Sequence, residues 1–223
     1  LEVLEEEKSP LLIHGEKVAE DIDIFEREKY FIDDELSIIR KKFPLLKITL
    51  EHVSTSYGVN YIKENDNIAG TITPHHMLLT KKDVFYENSI NPHHFCMPVV
   101  KNEKDLIELR NAACHKNSKF FLGTDSAPHP VEDKKPNMTC KPGIFSAPCS
   151  IELYAEIFDQ ENSINTLELF SSINGAKFYN LPINKSKIIL EKKEWTVPEV
   201  SAFKNIQVKN FYGNKKINWK LVN

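Results

Sequence analysis

Nothing in these 223 residues supplies the roughly 20 consecutive apolar side chains that cross a bilayer, and the stretch Leu1–Lys8 is too acidic for a signal peptide. Charge of one sign is not in excess either. The 29 Lys and Arg against 32 Asp and Glu leave a formal −3, and the lysines are scattered rather than striped. That balance argues against nucleic acid as a partner and for a small molecule. Cysteine is scarce: Cys96, Cys114, Cys140 and Cys149 form no C-x-x-C pair and no dense framework, which points to reduced thiols and a cytoplasmic protein without membrane attachment. Internal repeats and low-complexity linkers are absent. The first residue is not Met, and Glu2–Lys8 reads as the tail of a helix without a beginning, so the expectation is a chain cut from a longer one. What remains, 41% apolar and 27% charged, is the composition of a globular protein large enough for one big core or two small ones.

Four apolar segments read as strands: Pro10–Ile13, Lys47–Leu50, Ile68–Thr73 and Lys119–Leu122. Between the first two, Phe25, Ile32, Leu36 and Ile39 fall near helical spacing, with Asp21 and Asp23 as caps. Further helices are expected from about Glu103 to Lys116, with Leu106, Leu109 and Ala113 on one face, and from about Thr166 to Tyr179. Strands alternating with helices imply an α/β fold with a parallel sheet, about four β-α units, half the count of a (β/α)8 TIM barrel. The aperiodic loop His129–Pro148 has the length of a lid or binding loop. After Pro182 the pattern shifts to short alternating stretches with a Gly213-Asn214 turn signal. The division expected is therefore 1–182 for the barrel part and 183–223 for a small β-rich C-terminal extension.

Three strands run into a metal-ligand type: Leu11-Leu12-Ile13 into His14, Ile48–Glu51 into His52, and Phe121–Thr124 into Asp125. In a parallel barrel all strand C-termini share one mouth, so the three converge, and imidazole with carboxylate suits zinc or a similar divalent ion. Such an ion lowers the pKa of bound water to about 7 and polarises a carbonyl, while Asp125 shuttles the proton. Each histidine taken alone is more often a hydrogen-bonded structural group than a ligand. His129 is a surface residue or a substrate contact, and spacing does not choose. Glu16 and Glu51 either orient the histidines or are solvated charges. His76 closes the third strand as a mouth residue, whereas the pairs His75-His76 and His93-His94 match metal sites in composition only, since neighbours on an extended chain point to opposite faces.

The segments Leu11–Glu16, Asp21–Phe25, Glu51-His52, Thr71–Pro74, Pro92-His93 with Cys96–Pro98, Gly123–His129 with Lys134, and Asn174-Gly175 with Phe178-Tyr179 resemble the dihydroorotases of the bacterial single-function type, within the amidohydrolase superfamily. The run Gly-Thr-Asp-Ser-Ala-Pro-His with Lys134 beyond four intervening residues fits that family's second signature in full. The resemblance implies a distorted (β/α)8 barrel with two zinc ions bridged by a carboxylated lysine, performing reversible hydrolysis of dihydroorotate to N-carbamoyl-L-aspartate in pyrimidine synthesis, and it points to a homodimer. It assigns His14 and His52 to one metal, and Asp125 to the other and to the general base. It gives the substrate carboxylate to His129 and backbone contacts to Met97 and to Pro142, which has no N–H to donate. The family's His-x-His signature, its bridging lysine and the arginine and asparagine that grip the substrate are nowhere in the chain. The expectation is thus a C-terminal part of a longer enzyme, with negligible turnover by the 223 residues alone. The alternatives are another cyclic amidase, such as a dihydropyrimidinase or allantoinase, and a non-catalytic half-barrel that serves as an assembly partner.

Overall fold

The computed structural model describes residues 1–137 and 139–222. After a short helix α1 (Glu2–Glu6), the strands β1 (Leu11–His14), β2 (Ile48–Glu51) and β3 (Ile68–Ile72) follow in turn. A small hairpin, β4 (Phe85–Tyr86) and β5 (Ser89–Ile90), precedes β6 (Phe120–Leu122). Strands β1, β2, β3 and β6 form one parallel sheet in that order, with Leu11 beside Ile48, Ile48 beside Ile68 and Gly70 beside Phe120. All four segments read from the sequence as strands are therefore strands. The two central ones are buried on both faces along nearly their whole length, Thr49 and Thr71 included, whereas burial alternates along β1 at the edge.

The crossover from β1 to β2 is a helical stretch, α2 (Arg27–Phe31) and α3 (Ser37–Lys42), joined by a π-helical turn over Ile32–Leu36. Its start departs from expectation: Asp23 accepts from the Phe25 N–H at 2.8 Å, closing a turn ahead of the helix, and Phe25 packs on a second core. Helix α4 (Ser56–Glu64) follows β2, capped by the Thr55 hydroxyl on the Gly58 N–H, and α5 (Glu103–Cys114) is capped by Asn102 on Lys104 and Asp105. Helix α6 (Ser150–Gln160) was not readable from the pattern. Leu153, Tyr154, Ala155, Ile157 and Phe158 are buried on its apolar side, while Glu152, Glu156 and Asp159 line a polar face that accepts from Leu221, Asn218 and Trp219. Its Tyr154 hydroxyl donates to the Ile72 carbonyl at 2.7 Å and ties the helix to the end of β3. The helix expected over 166–179 is a π turn, Leu169–Ile173, continued by α7 (Asn174–Phe178).

Residues beyond 182 form β7 (Leu190–Thr196), β8 (Val200–Phe203), β9 (Ile206–Lys209) and β10 (Lys216–Leu221), with β7 antiparallel to β10 and β8 to β9. Two cores result. One lies between the sheet and its helices, around Leu50, Ile62, Phe120 and Phe158. The other gathers Phe95, Cys96, Ile144 and Leu153 with Val197, Phe211 and Ile217 of the last forty residues. The four cysteines are buried and unpaired. No helix among the described residues is long and apolar enough to cross a membrane.

Candidate active site

Because the sheet is parallel, His14, Glu51-His52, Thr73 and Gly123–Asp125 all leave it along one edge. His14 ends β1. Its Nδ1 lies 3.1 Å from His52 Nε2, and its Nε2 lies 3.1 Å from Glu16 Oε2. Glu16 is no solvated charge: its side chain is 2% exposed, against 47% for His14. His52 sits just past β2 at a φ of 42°, a left-handed conformation rare for a non-glycine residue and common where a site imposes it. Its N–H donates to Thr71 Oγ1 at 2.7 Å, and that hydroxyl donates to Glu51 Oε2 at 2.6 Å, so Glu51 holds His52 through Thr71. Gly123 makes room for this relay, since a Cβ there would stand 2.5 Å from Thr71 Cβ. Burial, reinforced by His14, pushes the His52 imidazole down to about 4, which keeps it neutral. Its Nδ1 is buried without a partner.

Asp125 repeats the φ signature at 43°. Burial against neighbouring protein pushes its carboxyl upward, and Glu51 adds to that, while His14 opposes it. His14 and His52 are therefore brought into contact and Asp125 shares their edge. The three do not close into a single ligand cluster: the one such cluster among the described residues is His75, His76 and Cys96, whose ligand atoms lie within 4.8 Å of one another.

That cluster corrects the expectation that adjacent histidines cannot face one place. After Pro74 the backbone coils, with Met77 N–H donating to Pro74 O at 3.3 Å and Leu79 N–H to His75 O at 2.9 Å. Successive side chains in a coil diverge by about 100° rather than 180°, and both rings turn inward with centroids 4.8 Å apart. His76, expected at the mouth, is buried, with one nitrogen on Thr73 Oγ1 at 2.8 Å and the other on the Pro98 carbonyl at 2.9 Å. Cys96 donates to that same carbonyl, and burial pushes its thiol up to about 12. With both His76 nitrogens engaged and the thiol protonated, this is a poor donor set and a good anchor for the turn after Met97. His75 has no partner on either nitrogen and packs edge-on to Phe211.

The remaining expected residues sit on two loops over this edge. Met97 is half-buried against the second core and Pro142 is exposed, offering only its carbonyl. His129 packs against Gly143: a Cβ on that glycine, whose φ is 144°, would stand 2.9 Å from the imidazole. Lys134 Nζ, buried beneath, donates to the carbonyls of Gly143 at 2.7 Å, Lys141 at 2.8 Å and Phe95 at 3.4 Å. Sequence reasoning noted Lys134 only as part of a signature. It missed Thr71, whose hydroxyl in an otherwise apolar strand was the available signal, and Glu28, buried in α2. The Glu28 carboxylate accepts from the N–H and hydroxyl groups of both Ser54 and Thr55.

No family model matches the chain. The dihydroorotase of Hahella chejuensis is 43% identical over 221 residues, covering 99% of this chain and 64% of that protein. That of Buchnera aphidicola is 42% identical over 224 residues, 99% of this chain and 63% of its own length. Among solved structures, dihydroorotase from Campylobacter jejuni superposes with a TM-score of 0.89 at 36% identity, covering all of this chain and 64% of the other. The Saccharomyces cerevisiae dihydroorotase solved with 5-fluoroorotic acid gives 0.89 at 33%, covering 99% and 65%. An L-hydantoinase from Arthrobacter aurescens, at 17% identity and a TM-score of 0.75, shares the fold alone. In sequence and in backbone the chain resembles the dihydroorotases, of whose length it spans about 64%.

Proposed function

We propose that this chain carries part of the active site of a dihydroorotase, a hydrolase that interconverts dihydroorotate and N-carbamoyl-L-aspartate in pyrimidine synthesis. One observation carries the reading. His14 Nδ1 and His52 Nε2 face each other at 3.1 Å, close to the edge of about 3.3 Å of a tetrahedron with zinc–nitrogen bonds of 2.0–2.1 Å. The donor set fits a metal: His52 is neutral, and Glu16 on the far nitrogen of His14 orients that ring as metal-binding imidazoles are commonly oriented. His14 and His52 would hold one zinc ion and Asp125 the second. Bound metal would supply an activated water at neutral pH and polarise the carbonyl that is attacked.

The residues here do the rest. Asp125 accepts the proton of the attacking oxygen at its carboxylate and returns it to the leaving nitrogen, a task served by a carboxyl that burial holds above its ordinary range. His129 holds the substrate carboxylate, the Met97 main chain contacts the ring, and Pro142 contributes an acceptor only. We read the sheet as the second half of a (β/α)8 barrel, with residues 1–182 belonging to it and 183–223 an added extension. We take the protein to be cytoplasmic and homodimeric, acting on a small molecule, with no role for nucleic acid or membrane.

The test is turnover of dihydroorotate against uncharged dihydrouracil by the protein carrying this chain, with its bound metal counted. The expected result is metal-dependent turnover of dihydroorotate, lowered at least about 1,000-fold by Asp125→Asn with metal retained. Preference for dihydrouracil would move the assignment to another cyclic amidase. Stoichiometric protein without metal or turnover would favour the non-catalytic assembly role.

A further inference from the structure

Lys134 is a buried cation with no acid. All three donors of its ammonium are spent on main-chain carbonyls, those of Phe95, Lys141 and Gly143. The ionisable groups that bear on it are the thiols of Cys140 and Cys96, and burial pulls its pKa down. A buried ammonium is costly unless fully hydrogen-bonded, so its place under an exposed loop needs a reason beyond packing.

The carbonyls it gathers supply that reason. Phe95 lies two residues before Met97, and Lys141 and Gly143 flank Pro142, so one ammonium fastens both backbones proposed to contact the substrate ring. The Gly143 N–H donates to Phe95 O at 2.9 Å, which knits the two loops directly. The Ala127 N–H donates to Ile144 O at 3.0 Å, and Ser126 Oγ accepts from the N–H groups of Ser146 and Ala147 at 3.0 and 2.8 Å, joining the Asp125–His129 segment to the same assembly. The Gly143 α-carbon, left bare, lies against the His129 ring. The charge of Lys134 also reaches the neighbouring His93, whose imidazole it helps to depress.

We infer that Lys134 is a positioning residue for substrate binding: it locks the loops bearing Met97, His129 and Pro142 into one cradle. The inference rests on the dihydroorotase reading above. It acts on affinity, because none of the groups it holds is a metal ligand or the base.

The test compares Lys134→Met and Lys134→Gln with the native protein. Removing the donors should raise KM for dihydroorotate at least about tenfold, leave kcat within about threefold and leave the bound-metal count unchanged. Amide exchange at Ala127 and Gly143 should quicken at least about tenfold. The glutamine variant, which keeps an uncharged donor, should fall between. Native KM and native exchange in Lys134→Met would overturn the inference, as would a fall in kcat and metal content with KM unmoved. If the methionine variant does not fold, Lys134→Gln is judged by the same two results. A native protein that turns over no dihydroorotate counts against the proposed function, and the exchange rates then decide the role of Lys134 alone.

Discussion

His75 shows how one residue sets a pH limit. Its ring is fully buried, neither nitrogen has a partner, and burial, with His52 and His94 adding to it, holds its pKa down to about 3. An unfolded chain protonates a histidine near pH 6.5, so below that pH the unfolded state binds more protons than the folded one. Stability therefore falls as the pH drops from 6.5 toward 3, by up to about 1.4 kcal/mol per pH unit for each such histidine. His76 and His93 act in the same direction. In metal-free protein, His75→Gln should flatten the decline in urea stability between pH 6 and pH 5 by about one proton's worth. Identical slopes in variant and native protein would show that His75 titrates normally.

Among elements, the clamp between α2 and the loop after β2 matters most. Glu28 accepts from two N–H groups and two hydroxyls, and Thr55 passes its own oxygen on to the Gly58 N–H to cap α4. His52 lies two residues before Ser54, so this clamp also fixes a proposed metal ligand. Glu28→Ala leaves several buried donors unsatisfied and should cost about 3 kcal/mol in urea unfolding. Zinc affinity in titration should weaken with it, and an unchanged affinity would separate the clamp from the metal site. This clamp is invisible in the sequence, because its partners are 26 and 27 positions apart; so is the link between Lys134 and Phe95, which are 39 positions apart. The strands β1, β2, β3 and β6 are legible since burial on a sheet demands apolar runs, and with them the convergence of His14, His52 and Asp125 on one edge. The inward turn of both His75 and His76 is not, because it depends on the backbone coiling after Pro74, which residue types alone leave open.

At the scale of the molecule, the last forty residues are tied to the rest by packing and by hydrogen bonds together. Val197, Phe211 and Ile217 are buried against Leu153, Cys149 and Ile144 in the second core, and Asn218 is bonded through its N–H and its side-chain amide to Glu156 of α6. Exposing three such side chains forfeits about 6 kcal/mol, a large share of an ordinary domain's stability. A chain stopped after Pro182 should lose its cooperative urea transition, and a native midpoint in that truncation would show the extension to be dispensable. A dependency of another kind runs through Gly123. Any side chain there collides with Thr71, and cutting Thr71 back to make room would release the His52 N–H. The three positions form a lock with one opening sequence: in a drifting lineage Gly123 stays fixed for as long as His52 is needed, and it becomes free to vary only after the histidine has lost its purpose.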